Sequence, residues 1–349
     1  MTHDHWRRDE PTFYNFLVLE RRPLDAPAPL GGTVGALMSR DPRSQSHTFV
    51  IEVPPGWRTR TDAKDASLEL FVLRGDLALD GQGVGSGGYL HIPQLCGGGE
   101  ISCVAGALAL AFWNPNIPAF SYPLTRNRAI KTWEKPWTPS IPGAHGVMHK
   151  SLRLPDPVPH PHDEGFDGGP GGYLRFQYIE PNMISENEHV HHECWEEIIL
   201  LQGDCFLINE GQMGIGSVVG HPQEWYHAPF VSRSGALILV HTDAPMGFPW
   251  PPRPYPEAHK LCGAYLDTSP YDTPTPHIPW EAHPIRHLQE QSAEYRTWRN
   301  TPEGRRWGGY ETTTDVPYRP AGRGVASAYR AGWTRTGDAP DTAKSHRGG

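Results

Sequence analysis

The most informative pattern in the sequence lies in residues 189–203, which read His189-Val-His-His-Glu-Cys-Trp-Glu-Glu-Ile-Ile-Leu-Leu-Gln-Gly203. Because side chains alternate along a β-strand, His189 and His191 point to the same face. A turn brings Glu196, on the next strand, alongside them, and this hairpin closes at Gly203. Downstream, Gly216-Ser-Val-Val-Gly-His-Pro-Gln-Glu-Trp-Tyr-His227 adds a third histidine after a proline-bearing turn. Three imidazoles and one carboxylate in this order predict a metal site, whereas a pH-sensitive or merely polar surface cluster is the alternative.

The stretch lies in the second of two matched halves of the chain. Four pairs of segments keep their order and their spacing to within two residues. The pairs are 48–53 with 175–180 (offset 127), 71–76 with 199–204 (offset 128), 91–94 with 220–223 (offset 129), and 106–110 with 235–239 (offset 129). The alternative explanation is generic turn chemistry, because glycine, aspartate and proline recur in turns. A repeat of this length predicts two copies of one structural unit.

The composition favours β-structure in both copies. Among 349 residues there are 38 Gly and 37 Pro, and charged residues make up only 20%. This combination argues against a helical bundle and is typical of short strands separated by many turns. The apolar segments are hydrophobic on both faces, which predicts strands that face a barrel interior on one side and a second layer on the other.

The two histidine segments resemble the two sequence motifs of the cupin superfamily. The pattern is His-x-His-x4-Glu-x6-Gly followed by Gly-x5-Pro-x4-His. Met183, Glu224 and Val231 replace the Gly, Gly and Asn that are usual in these motifs, and these departures affect turn geometry more than metal ligation. The resemblance implies an all-β fold of two cupin jelly-roll barrels, with one divalent metal held by four ligands. Carried over to this sequence, the ligands are His189, His191, Glu196 and His227.

Such a donor set suits several metals. Fe(II), Mn(II), Ni(II), Cu(II) and Zn(II) all accept imidazole and carboxylate ligands, and Fe(II) is the expected metal. An octahedral ion would keep two open positions for water, substrate or dioxygen. By strand alternation His192 and Glu197 face away from this site.

The first half is predicted to bind no metal. The repeat offset places residues that cannot ligate a metal usefully at the four ligand positions, namely Thr61, Ala63, Leu68 and Gly98. The chain is therefore similar to a bicupin with one metal site. Arg58 and Arg60 are expected to be solvated, with anion binding as the alternative.

Three residues near the metal site are candidate catalytic residues: Arg175, Gln177 and Tyr226. Arg175 and Gln177 alternate with apolar residues and could hold a carboxylate or carbonyl of a substrate. A row facing solvent at the sheet edge is the alternative. Tyr226 belongs to a second set that either lines the pocket or packs in the core, with Trp195, Phe230 and His241.

The predicted domains follow the repeat. They are an N-terminal arm (1–40), a degenerate barrel (41–125), a linker that partly folds onto the surface (126–170), a metal-binding barrel (171–250) and a C-terminal extension (251–349). One helix is expected within 280–306, and the last dozen residues are expected to be disordered.

The net charge and the cysteines indicate which classes of partner and which compartment to expect. The net charge of −8 offers no footprint for nucleic acid or anionic lipid. No apolar run approaches the length of a membrane span, and five scattered cysteines suggest reduced thiols. We expect a cytoplasmic protein that binds a small molecule but neither nucleic acid nor membrane. A homodimer is one oligomeric state that the sequence allows.

The predicted metal site, with its two open coordination positions, favours an Fe(II) dioxygenase. Its substrate would be a small oxygen-chelating molecule: a dicarbonyl, a hydroxy-ketone or a hydroxylated aromatic acid. The alternatives are a Mn- or Zn-dependent decarboxylase, isomerase or lyase, or a non-catalytic sensor, because residues 229–237 are similar to cupin domains of anti-sigma sensors.

Overall fold

A computed structural model describes the chain over most of its first 242 residues. The described residues are 8–9, 11–25, 27–42, 44–62, 64–115, 127–135, 137–139, 147–153, 174–185, 187–190, 195–208, 210–223, 225–227, 230–242, 253–254, 260–262 and 265. At 28, 138–139, 187–190, 226–227 and 253–254 only the backbone is described. The described residues contain no helix that is long and apolar enough to cross a membrane.

The first half is built from short strands. They are β1 (Thr12–Asn15), β2 (Arg22–Pro23), β3 (Val34–Arg40), β4 (His47–Val53), β5 (Arg58–Thr61), β6 (Ala66–Gly75), β7 (Leu77–Leu79), β8 (Gln82–Val84), β9 (Tyr89–Ile92), β10 (Gly99–Ser102) and β11 (Ala107–Pro115). Two short 3₁₀ helices lie at Phe16–Val18 and Ala28–Leu30.

The second half repeats this plan. Its strands are β12 (Arg128–Ile130), β13 (Thr138–Pro139), β14 (Val147–Ser151), β15 (Leu174–Ile179), β16 (Met183–Ile184), β17 (Asn187–Val190), β18 (Glu196–Gly203), β19 (Cys205–Leu207), β20 (Gly211–Met213), β21 (Ser217–His221), β22 (Tyr226–His227), β23 (Phe230–Ser232), β24 (Ala236–Thr242) and β25 (Arg253–Pro254). A 3₁₀ helix lies at Thr132–Glu134, and residues 260–262 are helical.

The strands form two barrels with matching sheets. The first barrel combines a seven-stranded sheet, β12-β9-β6-β11-β4-β3-β2, with a four-stranded sheet, β5-β10-β7-β8. The second combines β1-β21-β18-β24-β15-β14-β13 with β16-β23-β19-β20, and adds a three-stranded sheet, β22-β17-β25. For the residues that the structure describes, the prediction of an all-β fold with two barrels is confirmed.

The three largest apolar layers of the described residues follow from the alternation of side chains in these sheets. One fills the first barrel and includes Phe49, Leu70 and Ile92. A second fills the second barrel and includes Ile179 and Leu200. The third contains residues from both seven-stranded sheets, such as Phe71 with Phe176, whose ring centroids lie 5.5 Å apart. The two barrels therefore pack together through their large sheets.

The glycines that end β6 and β18 have a steric role. Gly75 and Gly203 end β6 and β18 with φ of 81° and 82°, a left-handed conformation that favours glycine. A Cβ at either position would overlap the carbonyl oxygen of the residue that precedes the partner strand, Gly106 or Gly235. The glycines therefore allow the ends of β6 and β18 to lie close to the starts of β11 and β24. The predicted hairpin between the strands of His189 and Glu196 is wrong, because β17 pairs with β22 and β25 whereas β18 pairs with β21 and β24.

Each half lends a strand to the other barrel. β1, from the start of the chain, pairs with β21 of the second barrel, and Asn15 anchors it by donating from Nδ2 to the carbonyl of Ile215 at 2.9 Å. β12 pairs with β9 of the first barrel. The predicted N-terminal arm and linker thus contribute sheet strands.

The linker also reaches the core, which differs from its predicted surface position. Trp137 is fully buried in the layer between the barrels, and all five residues of β14 are buried. These segments are held because sheet pairing satisfies their backbone groups. The exact domain boundaries stay predictions.

Some predicted features lie outside the described residues. They are the helix within 280–306, the disordered last dozen residues and most of the C-terminal extension. None of the four cysteines in the described ranges forms a disulfide, and Cys103, Cys205 and Cys262 are buried.

Candidate metal and substrate site

The polar row of β15 faces the interior of the second barrel. Leu174, Phe176 and Tyr178 pack in the layer between the barrels, whereas Ile179 packs inside the second barrel. Arg175 and Gln177 share the face of Ile179, because they alternate with the other three. Arg175 is only 6% exposed. Of the two alternatives that the sequence leaves open, the barrel interior is the one observed.

Glu196 lies on the same interior surface. On β18, Ile198 and Leu200 pack inside the second barrel, and Glu196 has the same parity. Glu196 pairs with Thr242 of β24, two residues along β24 from Val240, the residue that pairs with Arg175. Glu196 is 5% exposed. The carboxylate and the guanidinium group thus belong to neighbouring rows of one enclosed surface.

The equivalent surface of the first barrel is apolar. Strand register matches Arg175, Gln177, Glu196 and His221 with Phe49, Ile51, Leu68 and Ile92, in that order. The segment of Arg175 is therefore offset by 126 residues from its equivalent, and the predicted offset of 127 is wrong by one residue. All four residues of the first barrel pack in its apolar interior. The polar groups are therefore a property of one barrel and not of the repeat.

An unpredicted histidine holds the carboxylate of Glu196. His221 lies opposite Glu196 in the ladder between β18 and β21, and its Nδ1–H donates to Glu196 Oε2 at 3.1 Å. Its Nε2 lies 3.0 Å from both carboxylate oxygens of Glu210. Although burial alone would lower it, these hydrogen bonds raise the pKa of His221 to about 9. No local pattern in the sequence indicates this role, because only the strand register places His221 opposite Glu196.

Two further polar residues face the same interior. Val147 of β14 packs inside the second barrel, so His149 and Ser151 share its face. His149 lies opposite Gln177, and Ser151 lies opposite Arg175. Both are buried. The sequence analysis missed them because they fall in the stretch assigned to the linker.

The backbone brings two predicted ligand positions together. In the antiparallel ladder of β17 and β22, position 189 lies directly opposite position 227, and Tyr226 lies opposite Val190. The side chains of His189, His227 and Tyr226, and all of His191 and His192, lie outside the described residues. Among the side chains that the structure does describe, no group of three or more His, Cys, Asp or Glu is placed to hold a metal. The ligand set stays a prediction.

The first barrel has an equivalent pair of strands, β5 and β10, but no histidine at the two matching positions. Thr61 of β5 lies opposite Gly99 of β10, so Gly99 rather than Gly98 is the register equivalent of His227. Ala63 lies outside the described residues. Arg58 is mostly exposed beside Glu100, at 3.7 Å. The predicted absence of ligands at these positions is unaffected by the shift of one residue.

Glu197 occupies the opposite face, between the barrels. Thr48 of the first barrel donates to Glu197 Oε2 at 2.9 Å. Burial raises the pKa of Glu197 to about 7, against the opposing effect of the guanidinium group of Arg8. Glu197 therefore joins the two barrels and does not face the second barrel's interior.

Trp195 and His241 share this face, so they do not line the barrel interior. His241 Nδ1 lies 3.6 Å from Glu197 Oε2, and the ring of His241 packs against Phe112 of the first barrel at 4.7 Å. Arg8 stacks over Trp195. The pocket-lining alternative is wrong for these two residues, because strand alternation turns them towards the first barrel. Phe230 is the exception, since it packs against the interior layer of the second barrel.

Comparison with known proteins identifies the fold. No protein-family model matches the sequence, and no curated protein matches it either. Among solved structures, the chain resembles a "putative dioxygenase" from Nostoc punctiforme, with a TM-score of 0.55 and 16% identity over 71% of this chain and 87% of that one. It also resembles a "putative glyoxylate induced protein" from Pseudomonas aeruginosa, with a TM-score of 0.51 and 13% identity over 69% and 91%. A weaker likeness, with a TM-score of 0.42 and 9% identity over 67% and 96%, is to a cupin 2 conserved barrel domain protein from Leptotrichia buccalis.

The fold has two β-barrels in one chain, which is the cupin-type architecture that the sequence resemblance implies. The sequence resemblance is confirmed at the level of the fold. At these identities the likeness extends to architecture alone, and fold does not determine activity.

Proposed function

We propose that the chain is a metal-dependent bicupin enzyme whose single metal lies in the second barrel. The observation that supports this most directly is the contrast between the two interiors. Equivalent positions are Phe49, Ile51, Leu68 and Ile92 in one barrel and Arg175, Gln177, Glu196 and His221 in the other. Buried polar and charged groups destabilise a core unless they are paired, so their confinement to one barrel favours a functional role.

The donor chemistry fits a divalent metal. Glu196 offers a buried carboxylate on the interior face, and the ladder sets positions 189 and 227 opposite each other. Directly opposite positions are the closest that two strands can offer to a pair of ligands. His189, His191, Glu196 and His227 would hold the metal, and Fe(II) is the metal that we propose. When bound, Fe(II) would supply the coordination and the redox chemistry needed to use dioxygen.

The residues of the chain would select an anionic substrate. Three neutral imidazoles and one carboxylate leave one positive charge on a divalent ion, and Arg175 adds another on the same interior surface. A guanidinium group can bind a carboxylate through two parallel hydrogen bonds. Gln177, two residues further along β15, can donate to a carbonyl or hydroxyl oxygen. A dicarbonyl, a hydroxy-ketone or a hydroxylated aromatic acid meets these requirements.

Apolar neighbours would exclude water from this site. Val240 and Ile238 lie opposite Arg175 and Gln177 and are buried inside the barrel. In such surroundings electrostatic interactions are stronger than in water, which favours specific binding of a charged group. We propose oxidative cleavage as the reaction. Tyr226, whose position follows a proline turn, is proposed as a further substrate contact.

His149 favours a second candidate, a metal-dependent decarboxylase, isomerase or lyase. Its imidazole is buried on the interior face, in the register position opposite Gln177. A histidine so placed can move a proton to or from a bound substrate. Decarboxylation and isomerisation both need such a transfer, whereas neither consumes dioxygen.

Oxygen uptake separates the two candidates. Protein loaded anaerobically with Fe(II) is mixed with each chelating acid or ketone, and dioxygen and carbon dioxide are measured. Substrate-dependent oxygen uptake supports the dioxygenase, and release of carbon dioxide without oxygen uptake supports the decarboxylase. Arg175→Gln should raise KM for the anionic substrates at least tenfold, whereas the exposed control Arg58→Gln should not change KM. No turnover and no spectral change with any compound would contradict both.

A further inference from the structure

The carboxylate of Glu196 is fixed by a chain of hydrogen bonds. On one side His221 Nδ1–H donates to Glu196 Oε2 at 3.1 Å. On the other side His221 Nε2 lies 3.0 Å from both oxygens of Glu210. Trp225 Nε1–H donates to Glu210 Oε1 at 3.3 Å. The side chains of three residues, His221, Glu210 and Trp225, therefore form the hydrogen-bonded chain that fixes this carboxylate.

The backbone holds three residues of this hydrogen-bonded chain, Glu196, His221 and Glu210, in place. Glu196 and His221 are opposite partners in the ladder of β18 and β21. Glu210 lies in the tight turn between β19 and β20, where its amide donates to the carbonyls of Leu207 and Ile208. The imidazole is 1% exposed, and the side chain of Glu210 is 14% exposed. The ring of His221 thus has little freedom to rotate away from either carboxylate.

In the first barrel, an aliphatic residue occupies the position equivalent to that of His221. Ile92 lies opposite Leu68 there, and both belong to the apolar interior. An aliphatic pair therefore satisfies the packing at this point of the fold. The histidine is present in the barrel that carries the glutamate, and absent where the glutamate is replaced.

We propose that His221 and Glu210 are positioning residues for a divalent cation at Glu196. With Oε2 held by His221, the carboxylate cannot turn to offer both oxygens, so it binds the cation through one oxygen in a fixed direction. Glu210 holds the other nitrogen of the ring and so fixes the orientation of the imidazole. Outer hydrogen bonds of this kind orient metal ligands, and their loss typically lowers metal affinity about 10- to 100-fold. This inference rests on the proposed metal site.

Cobalt binding by the full-length, metal-free protein tests the proposal. The variants are His221→Ile, which copies the first barrel, His221→Gln, which keeps a hydrogen-bond donor, and Glu210→Gln. The matched control is His91→Gln, which changes a buried histidine of the first barrel. We expect Co(II) affinity to fall about 10- to 100-fold in His221→Ile and Glu210→Gln, with a shifted visible spectrum of the bound Co(II). His221→Gln should recover part of the affinity, and the control should bind as wild type.

The outcomes separate this inference from the proposed site. If the wild type binds Co(II) and the folded variants bind it equally tightly with the same spectrum, the positioning role is wrong while the metal site stands. If the wild type binds no Co(II), both are wrong. Glu210→Gln changes a side chain at the edge of the barrel, so it carries the test if His221→Ile does not fold.

Discussion

Glu196 and Glu197 show how one step along a strand separates two roles. Glu196 faces the interior of the second barrel and contacts His221, whereas Glu197 faces the first barrel and accepts a hydrogen bond from Thr48. Strand alternation is sufficient to assign the two carboxylates to different faces. It does not say which face is the interior, and the same ambiguity applied to the row of Arg175. That choice depends on the packing of two sheets, which is not a local property of the sequence.

The predicted ligands can be tested one residue at a time. His189→Ala, His191→Ala and His227→Ala should each lose most bound metal, because alanine cannot fill a coordination position. Glu196→Gln should weaken binding and leave the fold intact. Metal content after anaerobic loading and desalting measures the effect. His192→Ala is the control and should keep its metal; if it lost metal while His189→Ala did not, the register would be wrong by one residue.

His91 predicts a pH-dependent contribution to stability from the first barrel. It is buried beside Glu69, Tyr89, Arg128 and Arg153, and burial lowers its pKa to about 4, although Glu69 acts in the opposite direction. An unfolded histidine titrates near 6.5. As the pH falls from 6.5 to 4, the unfolded chain therefore binds a proton that the folded chain does not, and stability falls by about 3 kcal/mol.

His91→Gln should remove this part of the pH dependence. Urea unfolding of the metal-free protein at pH 7 and pH 4.5 measures it, and the variant should lose less stability than wild type between the two. Parallel losses in both proteins would show that His91 does not remain neutral when buried.

The elements show which parts of the fold the sequence could predict. The repeat was visible because its anchors are glycines and prolines with steric roles, as Gly75 and Gly203 illustrate. The exchanged strand β1 was not visible. It has four residues and pairs with β21, about 200 positions away along the chain, and no local pattern specifies such a partner. Trp137 was placed at the surface for the same reason, because only its contacts with the other sheets bury it.

Gly203 allows a direct test of the steric role of these glycines. Gly203→Ala forces a Cβ into the carbonyl oxygen of Gly235 at a positive φ, so it should lower the free energy of unfolding by more than about 3 kcal/mol. Gly83→Ala is the matched control, because a Cβ there meets nothing within 4 Å. Its effect should stay within about 0.5 kcal/mol. Equal effects in urea unfolding would contradict the steric explanation.

At the scale of the whole molecule, buried charges join the halves. Arg153, which follows β14, forms an ion pair with Glu69 of β6 at 2.8 Å, and both side chains are at most 1% exposed. Although burial opposes it, Arg153 keeps the pKa of Glu69 below its usual value. Arg153 also donates to the carbonyl of Thr242 at 3.1 Å. One guanidinium group thus contacts the first barrel and the strand that borders Glu196 in the second.

Breaking this ion pair should destabilise the protein strongly. Arg153→Met leaves the Glu69 carboxylate buried without its cation, and such a change costs about 3 to 5 kcal/mol. Arg58→Met, which removes the exposed partner of Glu100, is the control and should cost about 1 kcal/mol or less. The double variant Arg153→Met/Glu69→Leu should recover part of the loss. If Arg153→Met and Arg58→Met lowered the free energy of unfolding equally in urea, the ion pair of Arg153 with Glu69 would not stabilise the contact between the two halves.

The proposed function requires that only the second of the two similar barrels binds a metal. Elemental analysis of protein loaded anaerobically with Fe(II) or Mn(II) measures this. We predict one tightly bound equivalent per chain, which Glu196→Gln weakens and Leu68→Val, at the equivalent position of the first barrel, does not. Two tight equivalents, or one that persists unchanged in Glu196→Gln, would show that the metal is not held by Glu196 in the second barrel alone.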